Sequence, residues 1–236
     1  MIHPGFILPF RAASAPPDWA IIGYGTHVVE VGTENGYDET VSFSSGTMLD
    51  TVANNDMCVV AMVADASPAV LYPENFTEIY QTGGTVPAGS VSTKFLTSSD
   101  TGFVIGHDAV YKQPVAWAIV RGVNTTTPQD ATRTIATVTD AQPNPPAITT
   151  ATASTMVFSI ILIDDEDLAS GLSAAPTNYT LLAAEDTGQA FTNGGSTVFM
   201  AYRIVASAGS EDPGTWTYSG NDDAVAVTMA LRWAGS

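Results

Sequence analysis

The distribution of apolar and polar positions predicts β-strands along most of the chain. From Val225 to Leu231, bulky apolar residues at odd positions alternate with alanine or threonine at even positions. This period of two is expected of a strand with one bulky and one small face. Three other segments are apolar on both faces, apart from one arginine, and predict central strands covered on both sides. They are Met57–Val63, Met156–Ile163 and Thr197–Val205.

Turn signals separate these strands. In each of them glycine permits a positive φ or proline fixes φ. Short strands at this spacing predict an all-β fold, either an antiparallel β-sandwich or a jelly roll. The turn signals are Gly83-Gly84, Pro87-Ala88-Gly89, Asn193-Gly194-Gly195 and Asp212-Pro213-Gly214.

Similar segments recur in the same order and indicate an internal duplication. Pro73-Glu74-Asn75-Phe76-Thr77 returns 103 positions later as Pro176-Thr177-Asn178-Tyr179-Thr180, and the apolar runs that begin at Met57 and Met156 are 99 positions apart. The offset between copies drifts because loops accept insertions more readily than strands. Two diverged repeat units are therefore predicted. Two further matches lie downstream, Gly102–Ile105 with Thr215–Tyr218 and Val115–Arg121 with Val225–Arg232.

The proline pattern sets the expected boundaries. Residues 1–25 contain Pro4, Pro9, Pro16 and Pro17 and are predicted to form an extended N-terminal arm or an entry strand. Residues 26–236 are expected to form the β-sandwich. One sandwich is favoured over two domains, because a unit of about 100 residues with some five strands would leave sheet edges to cover. Its parts are a repeat unit at about 40–123, a Thr/Pro-rich connection at 124–150 with one plausible strand at Arg133–Val138, and a repeat unit at about 151–236.

Composition narrows the possible partners. The chain has 236 residues, is 45% hydrophobic and can bury a substantial core. Its formal charge of −17 repels phosphate backbones and anionic membrane surfaces, so neither nucleic acid nor a membrane is an expected partner. Met156–Ile163 is far shorter than the roughly 20 apolar residues that span a bilayer, and the N-terminus lacks the basic region of a secretory signal.

Few residues suggest chemistry. Cys58 lies within an apolar run and is expected to be a small buried side chain rather than a nucleophile. His3, His27 and His107 lack the spacing of metal ligands. Asp164-Asp165-Glu166-Asp167 is the densest acidic cluster; a solvated loop is favoured there, and it is also the first place to look for Ca²⁺. No metal, cofactor-binding or catalytic residue is assigned, and the chain is expected not to be an enzyme.

Aromatic residues allow two interpretations. Trp216 and Tyr218 share a strand face, as do Phe103 and Ile105 in the first copy. Exposed, such a strip could stack against sugar rings. Burial in the core is favoured, because these positions carry bulky apolar side chains in both copies although the residue types differ.

The succession of strand and turn segments resembles a family of structural proteins from the virions of tailed bacteriophages. The resemblance extends over about residues 50–233 and involves patterns without chemistry, so no functional residue carries over. It implies a sandwich or jelly-roll protein that acts as a capsid decoration (cement) protein or as a tail or fibre component. The segments are Trp117–Asn124, Pro128–Ala131, Pro145–Ala151, Pro176–Thr180, Thr215–Ser219 and Ala224–Leu231.

These observations lead to one expected function and one alternative. The expected function is a non-enzymatic decoration protein on the capsid exterior, bound to the major capsid protein or another virion protein. A homo-oligomer is expected, with a trimer favoured so that three arms clamp neighbouring capsid subunits. The alternative is a tail or fibre component that binds a receptor or glycan through the loops Ala66–Asn75 and Asp164–Asn178, where Tyr72 is the candidate aromatic.

Overall fold

The computed structural model describes residues 19–29, 37–64, 73–82, 87–107, 112–139, 142–164, 172–187, 195–218 and 223–236. These residues form β-strands and one short 3-10 turn at Phe43–Ser45, which confirms the predicted all-β class. The strands are β1 (Ala20–Val29), β2 (Tyr37–Ser42), β3 (Thr47–Met48), β4 (Met57–Ala64), β5 (Thr77–Thr82), β6 (Ala88–Phe95), β7 (Gly102–His107), β8 (Gln113–Arg121), β9 (Gln129–Thr139), β10 (Ile148–Thr150), β11 (Thr155–Ile163), β12 (Leu172–Ala174), β13 (Thr180–Asp186), β14 (Thr197–Val205), β15 (Gly209–Glu211), β16 (Thr217–Tyr218) and β17 (Asp223–Leu231).

Two large antiparallel sheets organise the fold. The N-terminal sheet has the order β3-β1-β8-β4-β6-β5, and the C-terminal sheet has the order β13-β14-β11-β17-β9. Three two-stranded sheets, β2-β7, β10-β15 and β12-β16, complete the described structure. Each large sheet is built from one half of the chain, so the sandwich is assembled from two halves rather than interleaved.

The main core lies between the two large sheets. It receives one face of β4 and β8 and one face of β11 and β17. Because side chains alternate along a strand, the bulky positions of β17 enter this core and its alanines face the opposite side. The two-faced pattern predicted for this strand is therefore confirmed. The bulky residues of β17 are Val225, Val227, Met229 and Leu231.

The outer face of each large sheet is covered as well. On the N-terminal sheet, Trp117 packs with Phe43 and Phe103 beneath the β2-β7 pair. On the C-terminal sheet, Trp216 stacks on Phe199, with ring centroids 5.6 Å apart. Residues of β4 and β11 are buried throughout, as expected for central strands covered on both faces. The described molecule thus has four layers, two large sheets inside and small sheets outside.

Glycines allow close packing in two of these layers. A Cβ atom on Gly89 would lie 2.5 Å from Leu162 Cδ1, which belongs to the facing sheet. A Cβ atom on Gly25 would lie 2.8 Å from Trp117 Cζ2. Both separations are far below ordinary van der Waals contact, so the absence of a side chain lets the sheets and the Trp117 ring approach closely.

The two halves of the chain share several features of local geometry. Five strands of the N-terminal sheet lie side by side in the order β1-β8-β4-β6-β5, and those of the C-terminal sheet lie in the order β9-β17-β11-β14-β13. Within each set of five, numbered along the chain, the first strand is followed across the sheet by the fifth, second, fourth and third. A register shift occurs between Glu78 and Tyr80 and again between Leu181 and Ala183, each 103 positions apart. The predicted duplication itself stays a prediction.

The predicted boundaries differ from the observed strands. Residues 20–25 of the expected arm belong to β1, which pairs with β8, whereas residues 1–18 lie outside the described residues. The connection at 124–150 contains two strands, β9 and β10, and β9 pairs with β17. The plausible strand at Arg133–Val138 is confirmed and is longer than expected. Threonine-rich strands such as β9 resemble linkers in composition, so composition alone does not separate strand from connection here.

Candidate assembly edge

The acidic residues singled out in the sequence are only partly described. The Asp164 amide donates a hydrogen bond to the Asp223 carbonyl oxygen at 2.9 Å, which holds the end of β11 against β17. Asp165, Glu166 and Asp167 lie outside the described residues. Within the part of the chain that the structure describes, no three His, Cys, Asp or Glu side chains are grouped to hold a metal ion. The solvated loop that the sequence favours at this cluster, and its alternative of a Ca²⁺ site, both stay predictions.

The two described histidines lie on different strands. His27 Nε2 is 2.5 Å from Glu39 Oε1, joining β1 to β2. His107 ends β7 and stands opposite Tyr37 of β2. His3 lies outside the described residues. His27 thus belongs to the β1-β8 strand pair and His107 to the β2-β7 strand pair.

Two predictions about burial are confirmed. Cys58 is fully buried, and this loss of solvation raises the pKa of its thiol. Trp216 and Tyr218 are buried, as are Phe103 and Ile105, so both aromatic pairs fill the core rather than form an exposed strip. Trp216 Nε1 donates to Ser159 Oγ at 2.8 Å, which satisfies the indole nitrogen inside the core.

Arginine–carboxylate pairs fasten the ends of the central strands. Arg121, the last residue of β8, contacts Asp56 at 2.8 Å and Asp50 at 2.7 Å. The amide of Thr51 and then Arg121 lower the pKa of Asp50. Asp56 is buried, so the planar guanidinium neutralises a charge that would otherwise be costly to bury.

The equivalent residue in the other half, Arg232, contacts a different carboxylate. Its Nε lies 3.3 Å from Asp130 Oδ1. Burial alone would raise the pKa of Asp130, but hydrogen bonds from Thr152, from the Ala151 amide and from Arg232 outweigh burial and lower it. The arginines therefore serve the same structural role in both halves.

A further buried carboxylate links three strands of the second half. Glu211 Oε1 accepts hydrogen bonds from Arg203 Nη1 at 2.9 Å and from the Tyr179 hydroxyl at 3.2 Å. Burial and the neighbouring carboxylate raise the pKa of Tyr179, so the phenol remains a donor. The network positions the β13, β14 and β15 segments relative to one another.

The edges of the large sheets differ in how they are protected. β3 has two residues; β5 carries Glu78 and a register shift; β13 has a register shift and ends in Glu185-Asp186. β9 is an edge strand of 11 residues that also has two register shifts, both between Gln129 and Thr134. Its segment Ala131–Thr139 contains neither an acid nor a proline. In the described structure β9 pairs with β17 on one side only. An edge segment without acids or prolines offers its unpaired backbone groups to another chain.

The hydrogen-bond pattern shows which backbone groups of β9 point outward. The Asp164 amide bonds to the Asp223 carbonyl, so Asp223 and the other odd residues of β17 direct their backbone groups toward β11. The even residues of β17 therefore face β9 and bond to Thr134, Ala136 and Val138. The N–H and C=O groups of Ile135, Thr137 and Thr139 consequently point away from the sheet.

One cation lies on this edge. Arg133 lies between Ala131 and Thr134, where the register of β9 shifts, and no hydrogen-bond partner among the described residues contacts its buried Nε. Within the described residues Arg133 forms no ion pair, and Ile135 beside it is 40% exposed. The edge thus combines outward backbone groups, an exposed apolar side chain and an arginine in a chain of charge −17.

Comparison with known proteins yields no match to a family model, a curated protein or a solved structure. The described residues also contain no helix of sufficient length and hydropathy to cross a bilayer.

The sequence predicted part of β9 as a strand but did not predict that this strand lies at the edge of a sheet. The β-branched residues of this segment, among them Ile135 and Val138, predict a strand through their propensity. Its position at the edge depends on strand order, which local sequence does not encode. The absence of acids over nine residues of a strongly acidic chain is the signal that would have singled it out.

Proposed function

We propose that this protein is a non-enzymatic structural protein of a bacteriophage virion, a decoration protein that binds the capsid exterior and stabilises the lattice. The observation that carries the proposal is the β9 edge, which offers the backbone groups of a strand to another chain, as a protein that assembles with copies of itself on a lattice requires. Association through such an edge relies on main-chain hydrogen bonds and contact area rather than on reactive groups.

The architecture supports a role as a rigid building block. The two large sheets share one apolar core, and small sheets cover their outer faces. Charged side chains such as Arg121 and Arg232 tie strand ends together. A body of this kind can hold an edge strand in a fixed orientation while load is transmitted through the sheets.

The finer description of the fold also belongs to the proposal. Within each half, the first and last long strands are neighbours in one sheet, while β2 pairs with β7 in the first half and β10 pairs with β15 in the second. This arrangement is the one expected of a jelly roll. We therefore propose two duplicated jelly-roll units packed through their larger sheets, and the resemblance to phage virion proteins supplies the biological setting.

Co-sedimentation with capsids tests the proposal. The full chain is mixed with expanded capsids assembled from the major capsid protein of the same phage, and the pellet is imaged by electron microscopy. Saturable binding at fixed lattice positions is expected. Absence of binding would refute decoration and lead to a screen against tail proteins and host glycans. Deletion of residues 1–18 in the same assay tests the predicted clamp, since undiminished binding would exclude it.

A further inference from the structure

We propose that β9 pairs with the β9 strand of a second copy of this chain, antiparallel and about a two-fold axis. The pairing would join two five-stranded C-terminal sheets into one continuous sheet of ten strands. This inference rests on the proposed role of β9 as an assembly edge and names its partner. A contact of a strand with its own copy is isologous and therefore closes at two subunits.

The outward backbone groups restrict how the two strands align. Ile135, Thr137 and Thr139 direct N–H and C=O groups away from β17. In an antiparallel pair, residues that exchange both hydrogen bonds stand opposite each other. The alignment that sets Ile135 of one copy against Thr137 of the other uses these groups in both strands at once.

Charge favours this alignment over its neighbours. It places Arg133 of one copy opposite Thr139 of the other. Thr139 Oγ1 donates to Asp223 Oδ1 at 2.5 Å, and these two residues share one sheet face because they stand directly opposite each other. Side chains alternate along a strand, so Arg133 is expected on the same face as Thr139. Two strand spacings, about 10 Å, then separate the Cα atoms of Arg133 and Asp223 in the other copy. An extended arginine side chain spans that distance, and the two-fold axis creates the contact twice.

The same charges disfavour other edges for self-association. Two chains of charge −17 repel each other, and the β5 and β13 edges add Glu78, Glu185 and Asp186 to that repulsion. The segment Ala131–Thr139 brings no acid of its own to the contact. Pairing also places each Ile135, 40% exposed in the single chain, against the neighbouring strand.

Sedimentation of the full chain tests the pairing without any capsid present. Wild type is compared with Thr137→Pro, which removes an outward N–H, and with Thr137→Val, which keeps it. Proline is tolerated at edge positions whose N–H faces solvent, so Thr137→Pro should retain the circular dichroism spectrum. The expected mass is that of two chains of 24.6 kDa each. If the predicted trimer also forms, the expected mass is that of six chains. Thr137→Pro should halve that mass, and Thr137→Val should leave it unchanged.

A charge exchange provides a second test that does not depend on proline. Arg133→Asp should reduce association, and the double variant Arg133→Asp with Asp223→Arg should restore it. Within one chain these residues stand too far apart along the sheet for direct contact, so restoration indicates contact between copies. A monomeric wild type, or a mass that neither Thr137→Pro nor Arg133→Asp changes, would overturn the pairing.

Capsid binding separates this inference from the proposed function. If the wild type pairs but does not bind capsids, decoration fails and the pairing stands. If the wild type binds capsids yet sediments as a single chain or as a trimer, the pairing fails and decoration stands.

Discussion

Asn75 and Asn178 hold equivalent positions in the two halves of the chain. Each is the third residue of a Pro-x-Asn turn and adopts a positive φ, 62° and 67° respectively. The next residue, Phe76 or Tyr179, is buried. Its backbone amide donates a hydrogen bond to the carbonyl oxygen of the turn proline, at 3.3 Å for Phe76 and 3.0 Å for Tyr179. The two turns lead into β5 and β13, so a left-handed residue sets the entry of the strand in both halves.

This geometry predicts the effect of substitutions in both turns. Asn75→Ala and Asn178→Ala should each lower the free energy of unfolding by about 1 kcal/mol, because alanine tolerates the left-handed conformation less well. Asn75→Gly and Asn178→Gly should change it little, since glycine adopts positive φ readily. Denaturant unfolding measures all four variants. Equal losses for glycine and alanine would show that the amide side chain, not the backbone, determines the turn.

Sequence reasoning succeeded where a residue's environment follows from its immediate neighbours. The alternation along β17 placed Val225 and Val227 on the face that enters the main core, and the apolar run around Cys58 predicted its burial. Binary patterning decides such questions locally, because side chains alternate along a strand.

Local sequence patterns did not predict the contacts between residues that are far apart along the chain. The sequence leaves an arm or an entry strand open for residues 1–25, because the glycines and partly exposed residues of β1 give a weak strand pattern. The partners of Arg121 and Arg232 are carboxylates 65 and 102 positions away. Such contacts, like the edge position of β9, depend on the order in which strands join a sheet.

The Asp130 carboxylate should couple stability to pH. Hydrogen bonds lower its pKa in the folded chain, so the unfolded chain binds a proton more readily. The stabilisation is present above the unfolded pKa of about 3.9 and is lost as pH falls through the folded value. Asp130→Asn should therefore be less stable than wild type at pH 7, and the difference should shrink below pH of about 4. Melting temperatures of both proteins between neutral and acidic pH measure this. A difference that is constant with pH would contradict a role for the charge.

The buried side-chain amide of Gln113 should lower the stability of the folded protein. The side chain is buried, and within the part of the chain that the structure describes neither Oε1 nor Nε2 has a hydrogen-bond partner. Gln113→Met keeps the approximate shape and removes the unsatisfied groups, so it should stabilise the protein by about 1 kcal/mol or more. The matched control is Ser159→Ala, which deprives Trp216 Nε1 of its acceptor and should destabilise. Denaturant midpoints measure both, and a destabilised Gln113→Met would show that the amide makes useful contacts.

Cys58 should react only when the chain opens. The thiol is fully buried in the core of the N-terminal sheet, and burial raises its pKa, so little thiolate is present and no reagent reaches it. An aromatic disulfide reagent at pH of about 8 should release less than one equivalent of chromophore from native protein over minutes, and one equivalent in denaturant, because the thiolate is the reactive form. The matched control is Leu49→Cys at a site that is 62% exposed, which should add one fast equivalent in the native state. Rapid native reaction of the unmodified chain would mean that β4 separates from its neighbours far more often than its burial implies. In that case, the N-terminal sheet would open locally below the free energy of global unfolding, and the sandwich would not be the rigid support that an assembly edge on the facing sheet requires.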